Sequence, residues 1–113
     1  MSLYLGIDVG TAGVRTAVIC ADGKEVASAS VPMEAPVRVD DRPCQDPNIW
    51  WEAVRQCLGK QAQTLGAAGH SMREIEALAV DGTSGTTLLA DDALTPLTPG
   101  YMYNSSNFNE EAA

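Results

Sequence analysis

An apolar run too short for a helix, Leu3-Tyr4-Leu5-Gly6-Ile7-Asp8-Val9, ends beside an acid and breaks on Gly10-Thr11-Ala12-Gly13. A run of that length bounded by turn residues predicts a buried strand. A second run rich in Val, Ile and Thr follows at 14–21 and stops at Asp22-Gly23, a two-residue hairpin signal. Residues 24–32 resume with a weaker alternation, Glu25/Val26 and Ser30/Val31, and end at Pro32. Three consecutive strands joined by short turns predict an antiparallel meander.

Residues 33–45 hold Pro36, Pro43 and five charged side chains, which predicts a loop with at most a short extended piece at 36–40. Asp46-Pro47 then opens a helix, with Asp46 as N-cap and Pro47 at the first helical position. Ile49, Trp50, Ala53, Val54, Cys57 and Leu58 recur at helical spacing, and the helix is expected to run from 47 to about 66. Ile75–Val80 reads as the next strand. A strand, a long helix and another strand form a crossover unit, so this fourth strand is expected to lie parallel to an earlier one. A polar turn at 81–85, a short strand at 86–90 and an Asp91-Asp92 turn follow. The fold class is α/β. One domain is expected over residues 1–104, with a disordered polar tail at 105–113.

The chain has 113 residues, one domain's worth, and 45 % of them are apolar, which argues against global disorder. Its net charge of −8 argues against nucleic acid or an anionic membrane as partner. No apolar run approaches the roughly 18 residues of a membrane span, and no signal peptide is visible. Cys20, Cys44 and Cys57 are odd in number and form no C-x-x-C, so they read as free thiols of a cytoplasmic protein. His70 is the single histidine, which excludes a multi-histidine metal site.

The segment Asp8-Val9-Gly10-Thr11-Ala12-Gly13-Val14-Arg15 carries the chemistry. Backbone N–H groups of such a turn can form a concave anion nest. The Thr11 hydroxyl can donate to a terminal phosphate oxygen. Asp8 can hold Mg²⁺ directly or through water, since Mg²⁺ takes few carboxylates and keeps several waters. Arg15 adds a cation within reach. A Walker A loop is excluded, because it requires G-x-x-x-x-G-K-[ST] running into a helix. An ordinary hairpin would use the same residue types, with glycines taking positive φ. Asp81 ends the 75–80 strand and is read either as a ligand at the strand's carboxyl end or as a turn-capping acid. Trp50 and Trp51 are adjacent and read as packing residues, with sugar stacking by Trp51 the weaker alternative. His70 reads as an exposed loop residue, and Asp91-Asp92 as a plain turn.

These motifs in this order resemble the N-terminus of the FGGY-family carbohydrate kinases. The resemblance rests on D-x-G-T-x-x-x-R on the first hairpin, Gln45-Asp46-Pro47 before Trp50-Trp51, the 75–80 strand into a glycine-containing turn, and Pro96-Leu97 before Tyr101-Met102-Tyr103-Asn104. It implies a ribonuclease H-like domain of the actin-like ATPase type. It implies ATP phosphates against Gly10, Thr11, Ala12, Gly13 and Arg15, with Mg²⁺ near Asp8. It implies a sugar bordered by Asp81, Gly82, Thr83, Ser84, Tyr103 and Asn104, with the ribulose and xylulose kinase branches nearest. The family's frequent Trp-x-Asp-x-Arg is replaced here by Tyr103-Asn104-Ser105-Ser106-Asn107, without the acid or the arginine. The catalytic base, the second phosphate loop and the adenosine segment are expected downstream of residue 113, so no catalytic residue is assigned in this chain. Half a cleft is expected to bind nucleotide weakly and turn over little or nothing. The missing C-terminal part or a second copy would then be the partner. The alternative is a non-catalytic module acting through self-association or another chain. A hexokinase-like or acetate-kinase-like protein would share the hairpin without the Gln-Asp-Pro/Trp-Trp helix start.

Overall fold

Alternation in the first 32 residues sorts them onto two faces. The computed structural model describes residues 1–103, and there β1 (Leu3–Val9), β2 (Gly13–Cys20) and β3 (Glu25–Pro32) form the expected meander. Leu3, Leu5, Ile7, Val14, Val18, Ala27 and Val31 point to one face and are buried. Helix α1 (Pro47–Ala67) covers that face with a row of every fourth residue, Ala53, Cys57, Gln61 and Leu65. The Asp46 carboxylate accepts from the Asn48 N–H at 2.9 Å, so the predicted cap and start hold. The helix ends one residue later than expected, where the Ala68 and His70 N–H groups fold back onto Thr64 and Leu65 carbonyls.

A short 3₁₀ turn (Met72–Glu74) leads into β6 (Ile75–Gly82), which pairs with β1 in parallel. The sheet order is β3-β2-β1-β6. The meander, crossover helix and parallel fourth strand are therefore as read from the sequence. β6 runs two residues beyond the predicted end, because pairing with β1 continues through Asp8↔Asp81 and Val9↔Gly82. Asp81 and Gly82 thus belong to a strand, and the turn starts after them.

Three expectations are corrected. The extended piece expected at 36–40 is β4 (Val37–Val39), and 33–36 carry no regular structure, but 42–45 are a strand rather than loop: β5 (Arg42–Gln45) forms a hairpin with β4, and β7 (Gly100–Tyr101) completes a second sheet in the order β4-β5-β7. The turn places Asp40 and Asp41 at φ of 50° and 65°, a left-handed pair that aspartates tolerate. Residues 86–90 are not a strand but make isolated bridges, Thr87 to Tyr101 and Ala90 to Pro96. Pro96 and Pro99 lack an N–H, and Leu89 spends its own on the Thr98 hydroxyl, so no regular ladder can form. His70 is half-buried rather than loose, with its ring 3.3 Å from the Glu74 carboxylate in a capping box with Ser71. Ser71's N–H, then His70, lower the Glu74 pKa.

Candidate functional site

β1 and β6 run parallel and deliver their carboxyl ends to one place, where ligands of α/β sheets collect. Asp8 sits there between two in-register neighbours, Arg15 on β2 and Asp81 on β6. All three side chains lie on the sheet face opposite α1 and line one broad groove of about 910 Å³. Asp8 and Arg15 are exposed, and Arg15 forms no ion pair among the described residues.

Asp8 and Asp81 are neighbours across the β1–β6 pair. Hydrogen bonding toward Asp8, then desolvation, then the charge of Asp8, push the Asp81 pKa up. A raised carboxyl pKa means that the folded chain holds this proton more tightly than the unfolded chain. The stability it gives is present below the ordinary aspartate pKa and is lost as pH rises through the raised value. Asp81→Asn keeps a donor toward Asp8 without titrating. It is expected to flatten the decline of the thermal midpoint across the acidic range and to raise the midpoint at neutral pH. Melting curves in divalent-free buffer check this, and an unchanged pH profile would refute the pairing.

The Gly10–Gly13 turn has an unusual economy. Three of its four carbonyls are engaged: Thr11 O accepts from Gln45 Nε2 at 3.1 Å, Ala12 O from the Met33 N–H at 2.9 Å, and Gly13 O from the Gly10 N–H at 2.9 Å. The Thr11 and Ala12 N–H groups and the Thr11 hydroxyl bond to nothing among the described residues. Two successive unpaired amides in a turn are donors available to an anion. Neither glycine takes positive φ. Gly13 is needed for a different reason: a Cβ there would lie 2.5 Å from the Val31 carbonyl oxygen.

Beside the turn is a cavity of about 160 Å³, lined by Val9, Gly10, Gln45, Trp50, Thr83 and Met102 among others. The Thr83 and Thr86 hydroxyls bond to each other at 2.6 Å. Gly85, at φ of 80°, packs beside Tyr103, which brings the 82–84 candidates next to that residue. Ser84 is exposed, and Asn104 lies outside the described residues. Trp50, half-buried, donates its indole N–H to Gln45 Oε1 at 2.8 Å, whereas Trp51, expected to pack, is 63 % exposed. Gln45 and Trp50 were legible only as part of a helix entry. Nothing in their spacing showed that they line a cavity at the turn.

No group of three or more His, Cys, Asp or Glu side chains gathers among the described residues. Two adjacent carboxylates suit Mg²⁺, which takes one or two protein ligands and completes its shell with water and phosphate. No helix is long and apolar enough to cross a membrane.

The four-stranded sheet with its crossover helix defines a ribonuclease H-like, actin-like fold. Residues 3–112 match the N-terminal domain of the FGGY family of carbohydrate kinases. The chain belongs to that family. It is 31 % identical to the xylulose kinase of Klebsiella pneumoniae over 96 % of its length, and 28 % identical to that of Escherichia coli K12. The fold matches a solved xylulose kinase from Brucella ovis with a TM-score of 0.86 at 24 % identity over 97 % of this chain. It also matches glycerol kinase from Plasmodium falciparum, with a TM-score of 0.77 at 14 % identity over 98 % of this chain. The chain spans about a fifth, 22 %, of the length of each of these four proteins.

Proposed function

We propose that this chain is the ATP-side portion of a cytoplasmic carbohydrate kinase that transfers the γ-phosphate of ATP to a ketose or polyol, with ribulose- or xylulose-like sugars favoured. The observation that carries this is the turn with two successive unpaired amides beside Asp8, Asp81 and Arg15. In this reading residues 1–104 form the incomplete kinase domain. The Thr11 and Ala12 amides and the Thr11 hydroxyl hold phosphate oxygens, and Arg15 offsets their charge. Asp8 would hold Mg²⁺, with Asp81 next to it. The ion, when bound, neutralises charge that builds on the transferring group. Gly82, Thr83, Ser84, Tyr103 and Asn104 border the acceptor sugar. The general base comes from a part of the protein beyond these residues, so 113 residues alone bind nucleotide weakly and do not turn over.

β6 supports the longer protein. Leu78 and Val80 lie on the α1 side of the sheet, in register with Leu5 and Ile7, yet remain 60 % and 61 % exposed because α1 rests on β2 and β3. Ala77 and Ala79 face the other way. A parallel strand that is apolar on both faces is normally covered on both. The test compares the 113-residue chain with one continued to the length of its relatives. The longer chain is expected to phosphorylate a ketopentose with ATP and Mg²⁺, and the shorter one to stay at the buffer rate. A longer chain inactive toward ketopentoses, ketohexoses and polyols alike would reject the kinase reading.

The same uncovered strand supports a second reading, a non-catalytic module that uses β6 to self-associate. That reading requires the 113-residue chain to sediment as a dimer or larger. A dispersed species of 11.9 kDa would remove it.

A further inference from the structure

Gln45 is buried to 2 % exposure, yet it ties three segments together. Its Nε2 donates to Thr11 O at 3.1 Å and to Glu34 O at 2.8 Å, and its Oε1 accepts from Trp50 Nε1 at 2.8 Å. Both amide donors and the acceptor are thus in use. A peptide unit is planar and trans, so its C=O and the following N–H point in opposite directions. Holding the Thr11 carbonyl inward therefore turns the Ala12 N–H outward. Trp50 is itself held from behind by Gly100, where any Cβ would run into the indole ring. The chain Gly100–Trp50–Gln45–Thr11 links β7, just before Met102 and Tyr103, to the turn.

We propose that Gln45 is a positioning residue that aims the Ala12 amide at the ligand side of the Gly10–Gly13 turn. Gln45 touches no ligand in this role. It acts through the Thr11–Ala12 peptide, and its bearing on nucleotide rests on the kinase reading above.

The test uses hydrogen exchange, read by mass spectrometry on the intact protein, together with Mg·ADP affinity. Gln45→Leu removes the donor to Thr11. Gln45→Glu is the second variant, since it keeps length and the acceptor for Trp50 but offers Thr11 a negative oxygen. Trp50→Phe removes the indole donor and the ring edge beside Gly100 but leaves the Gln45–Thr11 bond itself. In peptides covering 10–14, both Gln45 variants are expected to speed exchange of the Gly10 amide, which bonds the Gly13 carbonyl across the turn, by about tenfold, the equilibrium factor of one lost hydrogen bond, with β3 peptides unchanged. They are expected to weaken Mg·ADP by a similar factor. Trp50→Phe is expected to lower the melting temperature without either effect. Unchanged turn exchange in the Gln45 variants would overturn the proposal, and so would equal loosening by Trp50→Phe. If the turn loosens as expected while Mg·ADP affinity does not move, or the parent binds none, the role of Gln45 stands and the nucleotide reading falls.

Discussion

Asp8→Ala, in a chain continued to the length of the matched kinases, is expected to lower kcat by at least about 100-fold, on the scale of removing one preorganised charge-stabilising group. The fold should be indifferent to it. Asp8 is exposed, points away from α1, and lies beside a like charge in Asp81. Removing it ends that repulsion, so the melting temperature should hold or rise. Loss of rate without loss of stability separates a ligand group from a packing group. Steady-state rates across a Mg²⁺ titration, paired with thermal melts, make the measurement. A rate within tenfold of the parent, with the same Mg²⁺ dependence, would remove Asp8 from the metal site.

Gly13→Ala should do the reverse. The added Cβ would meet the Val31 carbonyl at 2.5 Å and Pro32 Cα at 3.3 Å, both backbone atoms that cannot rotate away. Relief requires β2 and β3 to part where Gly13 faces Pro32. Forcing extra volume into a packed contact costs about 1–3 kcal/mol. A small domain loses roughly 4–8 °C of melting temperature for each kcal/mol. Gly59 is the control: it lies mid-helix with open space around it, and alanine there should stabilise by about 0.5–1 kcal/mol. Urea unfolding of the two variants decides. Gly13→Ala within about 0.5 kcal/mol of the parent would mean that the hairpin yields freely.

These outcomes also bear on what a sequence can disclose. β1, β2, β3, α1 and β6 were legible because each carries its own period and its own punctuation, down to the Asp46-Pro47 helix start. The second sheet was not. Its strands are two to four residues long, one contains Pro43, and the pairing of Cys44 with Tyr101 spans more than half the chain. No local pattern encodes such a contact. Asp8, Thr11 and Arg15 stood out by residue type beside a tight turn; Asp8 and Arg15 face one groove, while Thr11 sits in the turn itself. Asp81 was placed in a turn because apolar alternation stops at Val80, whereas pairing with β1 carries the strand to Gly82. The buried bonding roles of Gln45 and Gln61 escaped notice for one reason. Each is a polar residue buried to serve a backbone carbonyl, Thr11 in one case and Ala27 in the other, and hydropathy counts both as surface.

The parallel pairing of β1 with β6 also sets an order of events at the ribosome. The meander is made of near neighbours and can close early. β1 gains its second partner only after α1 and the 3₁₀ turn have been synthesised, when Ile75–Gly82 emerges, and contacts so distant in sequence form late. Asp8 is therefore made well before Asp81, yet the two meet only when β6 pairs with β1. A nascent chain halted before Ile75 carries the phosphate turn without the second carboxylate, so the candidate ion site comes into being as the sheet is completed.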